Sequence, residues 1–357
     1  MTTAQIPNTL TAGKLPRAAP TAMLLGSLAV FVLGAYILEG AGLAGKVNWI
    51  GAVLLGAIFF VLLNFVVALL VEGRRQATDR LVTSLVTAAF VVALIPLIWL
   101  LETVLQYGLG TLLNGTFLNS SMRNVVGEGG GALHAIVGTL EITGIAALIS
   151  VPVGLMTAIY LVEYGTGRLA RAITFLVDVM TGIPSIVAGL ATYALFVIVF
   201  GEGVKMGFAG SVALSILMIP VVVRSSEEML KLVPNELREA SYALGVPKWL
   251  TIVRIVLPTS VAGITTGVML AISRVIGETA PLLIVAGFTT SMNYNPFNER
   301  MMSLPVFVYN QYVSPGTDAQ FYIDRAWAGA LTLILIVALL NIIARVVSYF
   351  FSPKLSR

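Results

Sequence analysis

Apolar residues in this chain gather into long runs separated by short polar stretches. A helix that crosses a bilayer needs about 20 mostly apolar residues. Runs at 22–38, 49–72, 82–106, 132–162, 172–200, 207–223, 260–287 and 327–350 meet or approach that length. The predicted fold is all-α, a polytopic transmembrane bundle of about eight spans. The first run is short, follows the polar stretch Met1 to Pro20 and is succeeded by GLAG, a layout a signal peptide also shows. It is long for such a peptide and a second apolar run follows at once, so a span is expected.

Basic residues at the ends of the runs orient them. With the N-terminus in the cytoplasm, Lys14, Arg17, Arg74, Arg75, Arg80, Arg168, Arg171, Arg224, Lys231, Arg238, Lys248, Arg254, Arg345, Lys354 and Arg357 fall inside. Lys46, Arg123, Lys205, Arg300 and Arg325 fall outside, and Arg274 lies within a span. The bias is roughly three to one, which is the positive-inside pattern and puts both termini in the cytoplasm. Two external segments are longer. Residues 108–131 are rich in Gly and Asn and read as an ordered loop without helix. Residues 288–326 carry Tyr, Phe, Asn and Pro and read as a loop that docks a partner or caps the bundle.

Composition supports this layout. The 357 residues are 58% hydrophobic and 11% charged, against about 25% charged in soluble domains. Mean hydropathy is +0.96 and the pI is near 9.3. The net charge of +4 is spread over the ends of apolar runs, so no nucleic-acid partner is expected. There is no cysteine, which excludes disulfides, thiol chemistry and thiolate metal sites. The single histidine, His134, reads as a helix-start residue near the interface, and no metal site or catalytic triad is expected. No G-x-x-x-x-G-K-[ST] occurs, so any ATP must be bound by another chain.

Residues 224–258 form the longest inside segment, RSSEEMLKLVPNELREASYALGVPKWLTIVRIVLP. Asn235 after Pro234 reads as an N-cap, and NELREASYAL is built of helix formers. Gly245 suits the residue just past a helix end, and Pro247 suits the first turn of the next helix, which runs to Pro258. Two short helices joined at Gly245 could fit a groove on a partner. They could equally lie on the bilayer surface, where Trp249 and Arg254 would suit the interface.

The spacing of Glu239, Ala240, Gly245, Ile255, Leu257 and Pro258 resembles the EAA motif of ABC importer permeases, with Ser241 standing where the second alanine is usual. The resemblance extends over about three quarters of the chain. EGGGALHAIVGTL, AIYLVEYG, GIPSIVAGL, VVVRSSEEMLKLVP, REASYALGVPKW, SRVIGETAPLL and RAWAGALTLILIVALLNIIARVV are similar to segments of the A-type permeases of bacterial phosphate-specific ABC importers. The resemblance implies a six-span type I permease core in residues 81–357, with a coupling loop at 225–258. Residues 1–80, a polar segment and two spans, are an addition. It also implies a location in the bacterial cytoplasmic membrane. The implied partners are ABC ATPase subunits, a homologous second permease, an external phosphate-binding protein, inorganic phosphate and membrane lipid. Glu239 would meet the ATPase at the rim of its cleft, and Gly245 would allow the bend.

Charges inside spans are costly and commonly mark a pathway. Arg274 and Glu278, four apart, are expected on one helix face, either as a mutually neutralising ion pair or as an anion station. Arg offers a rigid fork of donors to a phosphate oxyanion. Glu278 would dilute the charge so that the ion can leave, and would accept a hydrogen bond from hydrogen phosphate that sulfate cannot give. Gly277, Thr279 and Pro281 surround the pair, and Pro281 permits a bend that lines a cavity. Arg224 reads as an inside anchor or an inner gate. Asp178 lies early in the fifth span, before the kink at Pro184. Glu141 has no assigned role, and a face toward a partner permease is one place for it. The alternatives are an ABC permease for sulfate or molybdate, and an ATP-independent proton-coupled carrier using Glu278 and Asp178.

Overall fold

The computed structural model describes residues 15–16, 18–40 and 49–351. Lys14, Arg17, the GLAG link with Lys46, Lys354 and Arg357 lie outside the described residues. Among the described residues there is no strand. Among the described residues, seven helices are long and apolar enough to cross a membrane, or eight spans if one sharply bent pair counts as one. The chain divides into two compact units, Met1–Leu101 and Glu102–Arg357.

In the first unit, α1 (Ala19–Gly40) packs on α2 (Trp49–Val71), and α3 (Arg74–Leu113) begins. Gly56 brings α2 against α1: a Cβ there would lie 3.2 Å from Leu28. Phe31 and Phe59 lie 5.5 Å apart nearby. At the turn into α3, Arg80 donates two hydrogen bonds to the buried Glu72 carboxylate, at 2.6 and 2.8 Å.

The second unit is built around α4 (Leu133–Ile159) and α7 (Gly207–Lys231). Small residues let these helices approach closely, as membrane packing favours. A Cβ on Gly154 would lie 2.7 Å from Val222. Ser215 on α7 sends its hydroxyl to the Ala146 carbonyl of α4 at 3.4 Å. Ile142, Leu214, Met218, Ala271, Leu282 and Phe307 are among the buried core. His134 is the second residue of α4. It is buried and lies edge-on to Phe307 at 5.7 Å.

Several expected boundaries change. α3 continues to Leu113, so the Gly- and Asn-rich loop begins only after its last turn. The segment 288–326 contains α12 (Leu304–Val313) and the start of α13 (Ala319–Phe351). The Leu304 amide donates to Thr139 Oγ1 at 2.7 Å, which ties α12 to α4. α7 runs on to Lys231, past the expected end at 223, because Arg224, Glu227 and Lys231 pair along one helix face.

The run 172–200 is not one helix. It takes in most of α5 (Gly167–Thr181), a break and α6 (Ser185–Phe200), and the two helices are bent by 109°. Ile183 precedes a proline and is pushed out of the helical region, and Pro184 has ψ 137°. The run 260–287 is also broken. α10 (Leu257–Val275) ends ahead of Gly277, and a short α11 (Ala280–Val285) follows. Pro281 cannot donate to the carbonyl four residues back, and its ring crowds that carbonyl.

Candidate functional site

The two breaks meet. A Cβ on Gly189 of α6 would lie 2.8 Å from the Pro281 backbone, so GIPSIVAGL and SRVIGETAPLL cross at a bare glycine. Beside this crossing is a cavity of about 230 Å³, lined by Thr181, Pro184, Ser185, Leu217, Arg274 and Glu278 among others. The N-terminal end of α6 borders it, and helix N-termini favour anions. Arg274 and Glu278 therefore share a cavity, but not a helix face. Arg274 lies in the last turn of α10, and Glu278 lies in the turn beyond it. They form no ion pair with each other, and neither enters an ion pair among the described residues. The expectation of an i, i+4 pair fails because the helix has already ended. Both side chains are left available to a third group.

Thr279 follows Glu278 as the N-cap residue of α11 and does not line the cavity. Asp178 sits near the end of α5, not early in a straight span. It bonds Arg224 of α7, which also donates to Glu227 at 2.8 Å. Lys231 reaches the other Glu227 oxygen at 2.7 Å. Asp178 and Arg224 are thus brought together in a four-residue chain of alternating charge, and neither lines the Arg274 cavity. Glu141 on α4 has one carboxylate oxygen buried without a hydrogen-bond partner among the described residues.

At the other end of α10 lies the elbow. α8 (Asn235–Ala243) starts one residue earlier than expected, with Pro234 rather than Asn235 in the cap position. Gly245 turns the chain at φ +76, a conformation only glycine adopts cheaply. Pro247 caps α9 (Lys248–Thr251). This second limb does not stop at Pro258. A π-turn over Ile252–Val256 feeds straight into α10. The wider turn accommodates Pro258, which has no amide to donate. The elbow's second limb is therefore a continuous extension of α10, which carries Arg274 in its last turn. Glu239, Ala240, Tyr242, Leu244, Gly245, Trp249 and Pro258 are exposed, Ile255 and Leu257 partly so, and Ser241 is buried.

Three contacts missed by sequence reasoning hold the elbow. Glu163, in the π-turn Tyr160–Tyr164 that closes α4, accepts from Arg238 Nε at 3.0 Å and Nη2 at 2.9 Å. Arg238 also donates to the Val233 carbonyl at 2.6 Å and the Leu230 carbonyl at 3.0 Å. Lys248 donates to the Glu163 carbonyl and lies 4.8 Å from the centre of the Tyr164 ring. Across the elbow, the Ser241 and Thr251 hydroxyls share a buried hydrogen bond of 2.8 Å. The serine that replaces the usual alanine thus ties the two limbs. The only advance signal was that AIYLVEYG and REASYALGVPKW both carry the resemblance.

Broken helices around a charged cavity, joined by one helix to a projecting elbow, define a multi-span membrane permease. The family described as binding-protein-dependent transport system inner membrane component matches residues 150–357. The phosphate transport system permease protein PstA 1 of Mycobacterium tuberculosis is 49% identical over 278 residues, 77% of this chain and 90% of that protein. PstA of Mycobacterium leprae is 47% identical over 274 residues, 76% of this chain and 89% of that protein. An inward-facing structure of the MetNI methionine ABC transporter covers 62% of this chain and 96% of its own, at 19% identity and TM-score 0.52, a likeness of fold. The chain belongs to the family of inner-membrane components of binding-protein-dependent transport systems. It is a transport subunit and not an enzyme.

Proposed function

We propose that this chain is the permease subunit of an ATP-driven phosphate importer and forms half of its translocation path. The single observation that carries this reading is the joint lining of one cavity by Arg274, Glu278 and the α5–α6 break, in a chain close to named phosphate permeases. Arg274 offers a phosphate oxyanion paired donors, and Glu278 accepts a hydrogen bond from the P–OH of hydrogen phosphate while keeping binding weak. A Glu278→Gln variant with unchanged phosphate uptake and unchanged sulfate rejection would remove that assignment.

The elbow takes the ATPase. Glu239, Ala240 and Gly245 present its outer side, and Ser241, Ile255, Leu257 and Pro258 carry the second limb into α10. Motion imposed at the elbow reaches Arg274 through one helix, with Asp178–Arg224 joining α5 to α7 at an inner gate. A second, homologous permease completes the path, two ATPase chains drive it, and an external binding protein supplies phosphate. This chain holds no cofactor of its own, and both termini face the cytoplasm. Residues 1–80 are an addition to the permease core.

The test is capture of the ATPase on the tagged chain, together with vesicle uptake. The parent should retain the ATPase and take up phosphate only with ATP. Gly245→Pro should release the ATPase. Uptake that proceeds without ATP, or an ATPase that stays bound to the Gly245→Pro chain, would contradict the proposal.

A further inference from the structure

The few cations of the outer segments remain unexplained by this reading. Arg325 is accounted for structurally: it is buried and donates to the carbonyls of Gly127 and Gly129 at 2.7 and 2.8 Å. Lys205 and Arg300, far apart in sequence, instead converge on a cavity of about 370 Å³ that Gly203, Thr289 and Glu299 also line. We propose that Lys205 and Arg300 form an outer anion station that receives an inorganic oxyanion before it reaches the Arg274 cavity. The proposal rests on the phosphate-permease reading and adds a second binding site to it.

Each cation is fixed by the residue after it. The amide of the buried Met206 donates to the Val285 carbonyl at 3.0 Å, and that of the buried Met301 donates to the Ala286 carbonyl at 3.1 Å. Both side-chain stems then pass over Gly287. A Cβ there would lie 2.9 Å from Lys205 Cδ and 3.3 Å from Arg300 Cγ, at a backbone φ of +80. Neither cation enters an ion pair among the described residues. Two unneutralised cations in one concavity raise the local anion concentration. Thr289 Oγ1 accepts from the Ser291 amide at 3.2 Å and keeps its own proton to donate. Glu299, at φ +59, places a carboxylate on the same cavity. It limits affinity, as Glu278 does beside Arg274.

The two cavities sit at opposite ends of α11. Arg274 and Glu278 precede it, and Lys205 and Arg300 gather at its last carbonyls. Its six residues span about 9 Å, a short step for an ion passed between weak sites. Lys205 precedes α7, whose 25 residues span about 37 Å. That helix separates the outer cavity from the elbow side. Stabilising the carbonyl end of α11 would also draw cations, but it would not require an open cavity with a hydroxyl donor and a carboxylate.

The test uses the complete importer in proteoliposomes, with phosphate-loaded binding protein titrated up to saturation. Retention of the ATPase on purification shows that each variant is assembled. Lys205→Gln with Arg300→Gln should lower the maximal uptake rate about tenfold, the loss expected for a charge-assisted phosphate contact. The half-saturating binding-protein concentration should not change. The exchange Lys205→Arg with Arg300→Lys should keep the rate. An unchanged rate in the glutamine pair overturns the station. A rise only in the half-saturating concentration overturns it in favour of a docking patch. An equal loss in the charge-keeping exchange shows that shape, not charge, matters, and also overturns it. A parent that moves no phosphate overturns the permease reading itself, whereas an active parent with an indifferent glutamine pair overturns this inference alone.

Discussion

Removing Arg238 should loosen the elbow far more than removing an exposed charge would. Its guanidinium and the Glu163 carboxylate are 12% and 4% exposed, so solvent screens the pair weakly. Arg238→Ala strands the carboxylate and removes a donor from the carbonyls of Leu230 and Val233, which accept from the same side chain. Breaking a buried pair from one side costs about 3–5 kcal/mol. If that cost falls on local opening, amide exchange over residues 235–256 should speed up by about two to four powers of ten. The assay is hydrogen exchange on the detergent-solubilised complex, read by peptide. The Arg238→Met, Glu163→Leu double variant should recover much of the protection, because no charge is then left unpaired. Unchanged exchange across 235–256 in Arg238→Ala would refute the claim that this pair fastens the elbow to α4. A double variant as exposed as the single would refute the stranded-charge explanation.

Two further predictions concern polar contacts whose partners are equally specific. Ser241→Ala leaves the buried Thr251 hydroxyl without its 2.8 Å partner and should cost about 1–2 kcal/mol, while Ser241→Ala with Thr251→Val should cost less. Thermal half-lives of the solubilised complex would show the order. Arg325→Ala frees the carbonyls of Gly127 and Gly129 and the Gln311 side chain. It should destabilise the Gly-rich segment by on the order of 3 kcal/mol, seen as faster proteolysis within residues 114–131.

Span positions were legible because long apolar runs have few other outcomes in a chain with so few charges. The breaks were less so. Between Thr181 and Ser185 the sequence GIP interrupts flanks apolar enough to read as one span, and Pro184 marked a kink without giving its 109°. Pro281 did announce the end of regular helix near Glu278. The i, i+4 rule nevertheless placed Glu278 on a face that no longer exists there. The Glu163–Arg238 pair joins residues 75 apart, and the Lys205–Arg300 cavity joins two loops. No local period encodes either, since both depend on how α4, α7 and α11 pack.

The most direct measurement is ATP-driven uptake into proteoliposomes holding the complete importer, with labelled phosphate and competing sulfate, for the parent and for Arg274→Gln. The account predicts that the parent takes up phosphate with little competition from sulfate. It predicts that Arg274→Gln loses most of that uptake while still holding its ATPase. An Arg274→Gln importer that moves phosphate as the parent does would contradict the claim that the ion passes this cavity.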